Sequence, residues 1–209
     1  MNKNKTHIVL VIDRSGSMVS IKADAEGGIN SLINAQKVAP GEASLTIYDF
    51  DNTTDKPVDL SDIKGFQHYA LSPRGGTALY DAVCKAIDET GIKLSALPET
   101  DRPGLVLVAV VTDGQENSSR THTLSDMKTR ISVQQNIYNW QFTFLCADPT
   151  ALQEAVSVGV KSVASYDMSK VAQAYNATGD KFTRMRTSLS AGESIDNHYT
   201  ESEVKSMKS

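Results

Sequence analysis

The run Leu105-Val-Leu-Val-Ala-Val-Val111 contains no polar residue, and no other stretch constrains the fold so strongly. A strand with one wet face alternates apolar and polar side chains, whereas a strand covered on both faces does not. The run is therefore expected at the centre of a sheet with a layer on each side. Other short β-branched runs read as strands at His7 to Ile12, Ala43 to Phe50, Gln141 to Cys146 and Ser162 to Ser165. Between them lie longer amphipathic segments, read as helices at Ile21 to Val38, Thr77 to Ser95, Leu124 to Tyr138, Thr150 to Val158 and Ser169 to Leu189. Ile21, Ala25, Ile29, Leu32 and Ile33 share one face of the first helix, and Leu79, Val83, Ala86 and Ile87 one face of the second. This alternation predicts an α/β fold, a mostly parallel sheet flanked by helices on both sides.

Two Gly residues, Gly27 and Gly28, interrupt the first helix at about 1 kcal/mol each relative to Ala, so close packing is expected there. The residues from Asp51 to Lys56 are turn-formers, and Val58 is a candidate for a short edge strand. From Ser190 the anchoring hydrophobes thin out, and residues 190–209 are read as a flexible tail after a single domain over 1–189.

A chain of 209 residues can bury one full core. Its formal charge of −4, with no dense basic cluster, argues against nucleic acid as a partner. Cys84 and Cys146 lie in apolar stretches and read as buried thiols, not as a disulfide or zinc site. The apolar run from Ile8 to Ile12 ends at Asp13, too short for a signal segment or a membrane span. A reducing, cytoplasmic setting without membrane contact is the resulting default expectation, with export by another route left open.

The chemistry is concentrated in Asp13-Arg-Ser15-Gly-Ser17, where an apolar strand runs into a turn and then a helix. Ligands of such sheets bind at the carboxyl ends of strands, and Gly16 lets the backbone curl without a Cβ clash. Asp and Ser are also ordinary turn and cap residues. Two further segments add to the pattern: Arg74-Gly-Gly-Thr77 opens the second helix, and Thr112-Asp113-Gly114 ends the central strand. Taken singly, Thr77 fits an N-cap and Asp113-Gly114 a turn. Together Asp13, Ser15, Ser17, Thr77 and Asp113 would converge as five oxygen ligands without sulfur or imidazole, a set that selects Mg²⁺, Mn²⁺ or Ca²⁺. The four histidines, His7, His68, His122 and His198, lack ligand spacing. Asp49 and Asp51, at another strand top, could add charge near the site but are read first as solvated hairpin residues, and Trp140 and Phe142 as core.

These segments resemble the von Willebrand factor A domain, also found as the integrin I domain, and its metal-ion-dependent adhesion site. That site is written D-x-S-x-S, a distant Thr and a distant Asp, and all positions are filled here from Asp13 to Asp113. The resemblance spans roughly Lys5 to Leu189 and includes Gly75-Gly76. It implies a Rossmann-like, doubly wound fold and a binding role, not catalysis. By the same resemblance, the two Ser ligate Mg²⁺ or Mn²⁺ directly, while the Thr and both Asp do so directly or through water. An open coordination position then takes a partner's Asp or Glu. Specificity is expected from a rim of Arg14, Met18, Arg74, Gln115, Glu116 and Asn117.

The compact bacterial and phage members of this family suggest a MoxR-type ATPase or another assembly component as partner. A structural component of a phage particle or multiprotein complex is the alternative. A phosphoryl-transfer enzyme with a strand-terminal Asp wants D-x-D, and Ser15 stands where its second carboxylate would be.

Overall fold

The computed structural model describes residues 1–208. Six strands form one sheet in the order β3-β2-β1-β4-β5-β6: β1 Asn2–Asp13, β2 Glu42–Phe50, β3 Thr54–Asp62, β4 Pro103–Thr112, β5 Gln141–Cys146 and β6 Ser162–Ser165. Every neighbouring pair is parallel except β2 with β3. The apolar run at Leu105 to Val111 is β4, paired with β1 on one side and β5 on the other. Both faces of it are buried, as its composition requires.

The helices are α1 Lys22–Val38, α2 Leu79–Ala96, α3 Leu124–Tyr138, α4 Pro149–Ser157, α5 Val171–Ala191 and a short α6 Glu201–Ser206. Alternate residues of β1 divide between two apolar layers. Ile8, Leu10 and Ile12 pack with α1 and α5, while Val9 and Val11 pack with α2, α3 and α4. This is the doubly wound arrangement, and none of its described helices is long and apolar enough to cross a membrane. α1 and α5 cross at small residues. A Cβ on Gly28 would lie 2.9 Å from the Tyr175 Cβ, and one on Gly179 3.3 Å from the Leu32 Cα, whereas one on Gly27 would touch nothing. The expectation of close packing holds for Gly28 alone.

Three details depart from the sequence reading. The edge strand suggested by Val58 is nine residues long, with Pro57 tolerated because β3 has a neighbour on one side only. Thr77 lies before the N-cap of α2, which is Ala78. The segment expected to be a flexible tail is folded against α5: Asn197 and Met207 are buried, and Thr200 caps α6 through a reciprocal capping box with Glu203. Few but well-placed anchors substitute there for a continuous apolar face.

Candidate metal site

The sheet order changes direction between β1 and β4, so the connections leaving these two strands diverge and a crevice opens above their carboxyl ends. Asp13 ends β1 and Thr112 ends β4, and they meet in this crevice. The Thr112 Oγ1 donates to Asp13 Oδ2 at 2.6 Å. The other oxygen of Asp13 accepts from the Ser15 amide at 2.7 Å, an Asx turn that curls the chain over the strand end. The following turn of 3₁₀ helix, Gly16–Ile21, brings Ser17 back over Ser15, with their hydroxyls 3.0 Å apart. Ser17 Oγ then donates to Asp113 Oδ1 at 2.7 Å. Four of the five expected ligand residues are thus linked in one hydrogen-bonded chain.

Thr77 joins through its loop. Gly16 N donates to Gly75 O at 3.0 Å, and Arg74 N to Arg14 O at 2.6 Å, so the two loops run side by side. Gly75 has φ +68° and a Cβ there would strike Asn52, while one on Gly76 would strike Ser118. Gly75 needs glycine here for its left-handed backbone, while a side chain at Gly76 would have to displace the Ser118 hydroxyl. Thr77 itself is buried and bracketed by Asn117, which accepts from the Thr77 amide at 2.9 Å and donates its own amide to the Thr77 carbonyl at 3.0 Å.

Burial dominates the electrostatics. It pushes the Asp13 carboxyl up to about 6, against hydrogen bonds from Thr112 and Ser15 and with the Asp113 charge adding to the rise. Burial also raises Asp113, against the hydrogen bond from Ser17. Asp113 Oδ2 is buried without a hydrogen-bond partner. An orphaned carboxylate oxygen beside converging hydroxyls fits a hard divalent cation. The site holds fewer than three carboxylates, in keeping with the described residues, where no three His, Cys, Asp or Glu gather. Its donors are chiefly hydroxyls.

The rim differs from the sequence reading. Arg14 is buried, its Nε donating to Asp51 at 3.1 Å and its NH2 to Asp55 at 2.6 Å. Met18 is fully buried under the turn. The Glu116 carboxylate is occupied by the amides of Tyr80, Ser118 and Ser119 and shapes its loop. These three are corrections, because spacing along a turn does not tell which side chains rotate inward. Arg74, Gln115 and Asn117 do lie at the surface. The neighbouring Val19 is 64 % exposed.

Asp49 and Asp51 are not solvated. Asp49 accepts from the Tyr69 hydroxyl at 2.7 Å. Asp51 receives both Arg14 and Arg74, the latter at 2.6 Å. Burial would raise Asp51, but hydrogen bonds from Arg74 and Thr53 and the Arg14 charge hold it below the ordinary range. The role of Thr112 as a partner of Asp13 escaped the sequence reading, and Asp51, read there as a hairpin residue, is instead a buried anchor of the site's loops. Two arginines in adjacent turns, Arg14 and Arg74, were the available signal for a buried acid. His7 is buried between Ser44 and Thr46, Trp140 and Phe142 are core, and both cysteines are buried free thiols.

Comparison with family models and with curated proteins finds no match. Solved structures do match. A von Willebrand factor type A protein from Catenulispora acidiphila aligns at TM-score 0.60 and 16% identity, over 86% of this chain and 43% of that one. The vWF domain of the type V pili tip protein Mfa5 from Porphyromonas gingivalis aligns at 0.57 and 9% identity, over 92% and 97%. Manganese-loaded TRAP protein of Plasmodium vivax aligns at 0.54 and 14%, over 82% and 72%. The chain thus has the von Willebrand factor A fold, and spans less than half the length of the first of these proteins.

Proposed function

We propose that the chain is a non-catalytic, divalent-cation-dependent protein-binding module that takes an acidic side chain of a partner protein. The observation that carries this reading is the buried, unpartnered Asp113 Oδ2 beside the linked hydroxyls of Ser15 and Ser17. Ser15, Ser17 and Asp113 would hold Mg²⁺ or Mn²⁺, with Thr77 and Asp13 completing the set. A bound cation of this kind supplies a Lewis-acidic position open to an outside carboxylate oxygen.

The chain's own residues divide the remaining work. Asp13 has both oxygens committed, to Ser15 N and Thr112 Oγ1, and so positions the turn more than it faces a ligand. Asn117 fixes the Thr77 backbone. Arg74 and Val19 offer a cationic and an apolar contact on the rim, the pair that would read the residues flanking the partner's acid. No bond-making step is assigned, since Ser15 occupies the place of the second carboxylate that phosphoryl transfer needs. The manganese of the Plasmodium vivax protein and the pilus-tip setting of Mfa5 agree with a metal-linked interaction role in this fold. The partner remains a protein presenting Asp or Glu, and an assembly ATPase fits that description.

Calorimetric titration with Mn²⁺ tests the site, and affinity capture with and without EDTA tests the function. Binding of about one Mn²⁺ per chain, lost in Asp113→Ala, is the expected result. A partner retained in EDTA would overturn the reading.

A further inference from the structure

α5 carries a lysine where its neighbours carry core side chains. Lys181 is completely buried. Its Nζ donates to Ser162 Oγ at 2.6 Å, to Thr143 Oγ1 at 2.7 Å and to the Asn197 carbonyl at 3.3 Å, and lies 3.8 Å from the centre of the Tyr199 ring. The hydroxyls belong to the sheet. The carbonyl and the ring belong to the C-terminal segment, which is therefore the lid over this amine.

That lid is held at separate points. Asn197 Nδ2 donates to Phe142 O at 2.9 Å, Glu203 pairs with Arg184 at 2.6 Å, and Met207 is buried with its carbonyl accepting from Asp167 N at 2.9 Å. Between these points the seam with α5 leaves a groove of about 280 Å³, bordered by Gln173, Asn176, Ala177, Asp180, Ser202 and Ser206. Among residues 193–208 only Asn197, Glu203 and Met207 are fully buried; Ile195 and Tyr199 are half-buried against the core, with the Tyr199 hydroxyl 2.8 Å from Thr178 Oγ1. A segment anchored at a few separate contacts, not along a continuous apolar face, opens at a lower free energy than the core it rests on. Gly192, at φ +74°, supplies the bend.

We propose that residues 193–208 form a releasable strap, and that Lys181 beneath it is a cryptic acylation site exposed when the strap lifts from an intact sheet. Burial holds the Lys181 amine well below the ordinary lysine range only while the strap covers it; once the strap lifts, the amine regains water and reacts through its unprotonated fraction, as other exposed lysines do. With an activated acyl donor, a thioester or acyl phosphate, the Nζ lone pair attacks the carbonyl carbon and an N–C bond forms. The C–S or C–O bond breaks, the thiolate or phosphate leaves with its electron pair, and the amine's proton passes to water. The resulting amide no longer fits among Thr143, Ser162 and Asn197, so acylation holds the strap open.

The test is pulsed acetylation of the full chain with acetyl phosphate, mapped by peptide mass spectrometry. Exposed Lys22 serves as the open reference, and the buried thiol Cys84, pulsed with a maleimide, reports global unfolding. Relative to unfolded-chain rates, Lys181 should react at least about tenfold slower than Lys22 and at least about tenfold faster than Cys84. Asn197→Ala and, away from the amine's own bonds, Glu203→Gln should each speed Lys181 by about fivefold or more with Cys84 unchanged. Lys181 reacting in step with Cys84 in all three proteins would mean the segment opens only on unfolding. Lys181 reacting as fast as Lys22 in the natural chain would mean it is never covered. Either result overturns the proposal.

Discussion

The Thr112 hydroxyl and the Asp13 carboxylate are joined by a buried 2.6 Å hydrogen bond that ties the ends of the two central strands together. With Ser15 N on its other oxygen, Asp13 is fully engaged, whereas Asp113 keeps an unpartnered oxygen. The two carboxylates therefore have different work to do.

This difference predicts a graded loss of metal affinity. Asp113→Ala and Asp13→Ala should both abolish Mn²⁺ binding in calorimetry, the first by removing a ligand and the second by releasing the turn. Thr112→Val leaves every ligand in place and frees one oxygen of Asp13, so affinity should fall by about 10- to 100-fold, the usual effect of losing an orienting partner. Unchanged affinity in Thr112→Val would show that the bond does not orient the site.

Arg186 should be among the most costly positions to change. It is buried on α5 and donates to the carbonyls of Gln36 at 2.6 Å, Pro40 at 2.9 Å and Gly41 at 3.1 Å, satisfying the C-terminal end of α1. Arg186→Met strands these acceptors and should cost about 3 kcal/mol, a fall in Tm of roughly 6 to 12 °C at this chain length. Arg186→Lys should recover little of it, because a single ammonium cannot span the fork of carbonyls. Thermal melts of both variants check this.

Gly27 and Gly28 are adjacent and should respond oppositely to alanine. A methyl on Gly27 meets open space, so Gly27→Ala should stabilise by about 0.5 to 1 kcal/mol through helix propensity. On Gly28 it would press on Tyr175 and the Ala172 backbone, and overpacking should cost about 1 to 3 kcal/mol. Chemical denaturation with matched m-values distinguishes the two, and equal shifts would refute the helix-crossing role of Gly28.

The same contrast shows what sequence carries and what it does not. The α3 boundaries were legible because Thr123 caps one end and Asn139, in the left-handed region, closes the other. β5 was legible from its aromatic and β-branched run, Gln141 to Cys146. The N-terminal extension of β1 to Asn2 was not, since its polar residues enter the sheet only by pairing, Asn2 with Pro103 past a register shift and Lys5 with Glu42. The five expected ligand residues form a pattern in the sequence, and four of them meet in one hydrogen-bonded chain; the inward rotation of Arg14 and Met18 depends on Asp51 and on the 3₁₀ turn, neither of which spacing encodes. The C-terminal segment was misread because its anchors, Asn197 and Met207, are scattered single contacts and not a periodic face.

The last prediction concerns pH. Burial holds the Asp13 carboxyl at about 6 in the folded chain, against an ordinary 3.8, so the native state keeps a proton that the unfolded chain has lost. Stability from this group is complete below the unfolded value and falls as pH rises towards the folded one, by about 3 kcal/mol in the metal-free protein. Asp113, raised by the same burial, adds to the fall. His7 opposes them: burial lowers it from 6.5 to about 4, so its contribution is complete above the unfolded value and is lost as pH drops. The two slopes largely cancel in the natural chain, and only substitution separates them. In EDTA, between about pH 4.5 and 6.5, Asp13→Asn should show a Tm that climbs more steeply with pH than the natural chain, while His7→Gln should show one that declines. Parallel Tm curves for all three proteins would mean that neither group titrates abnormally in the fold.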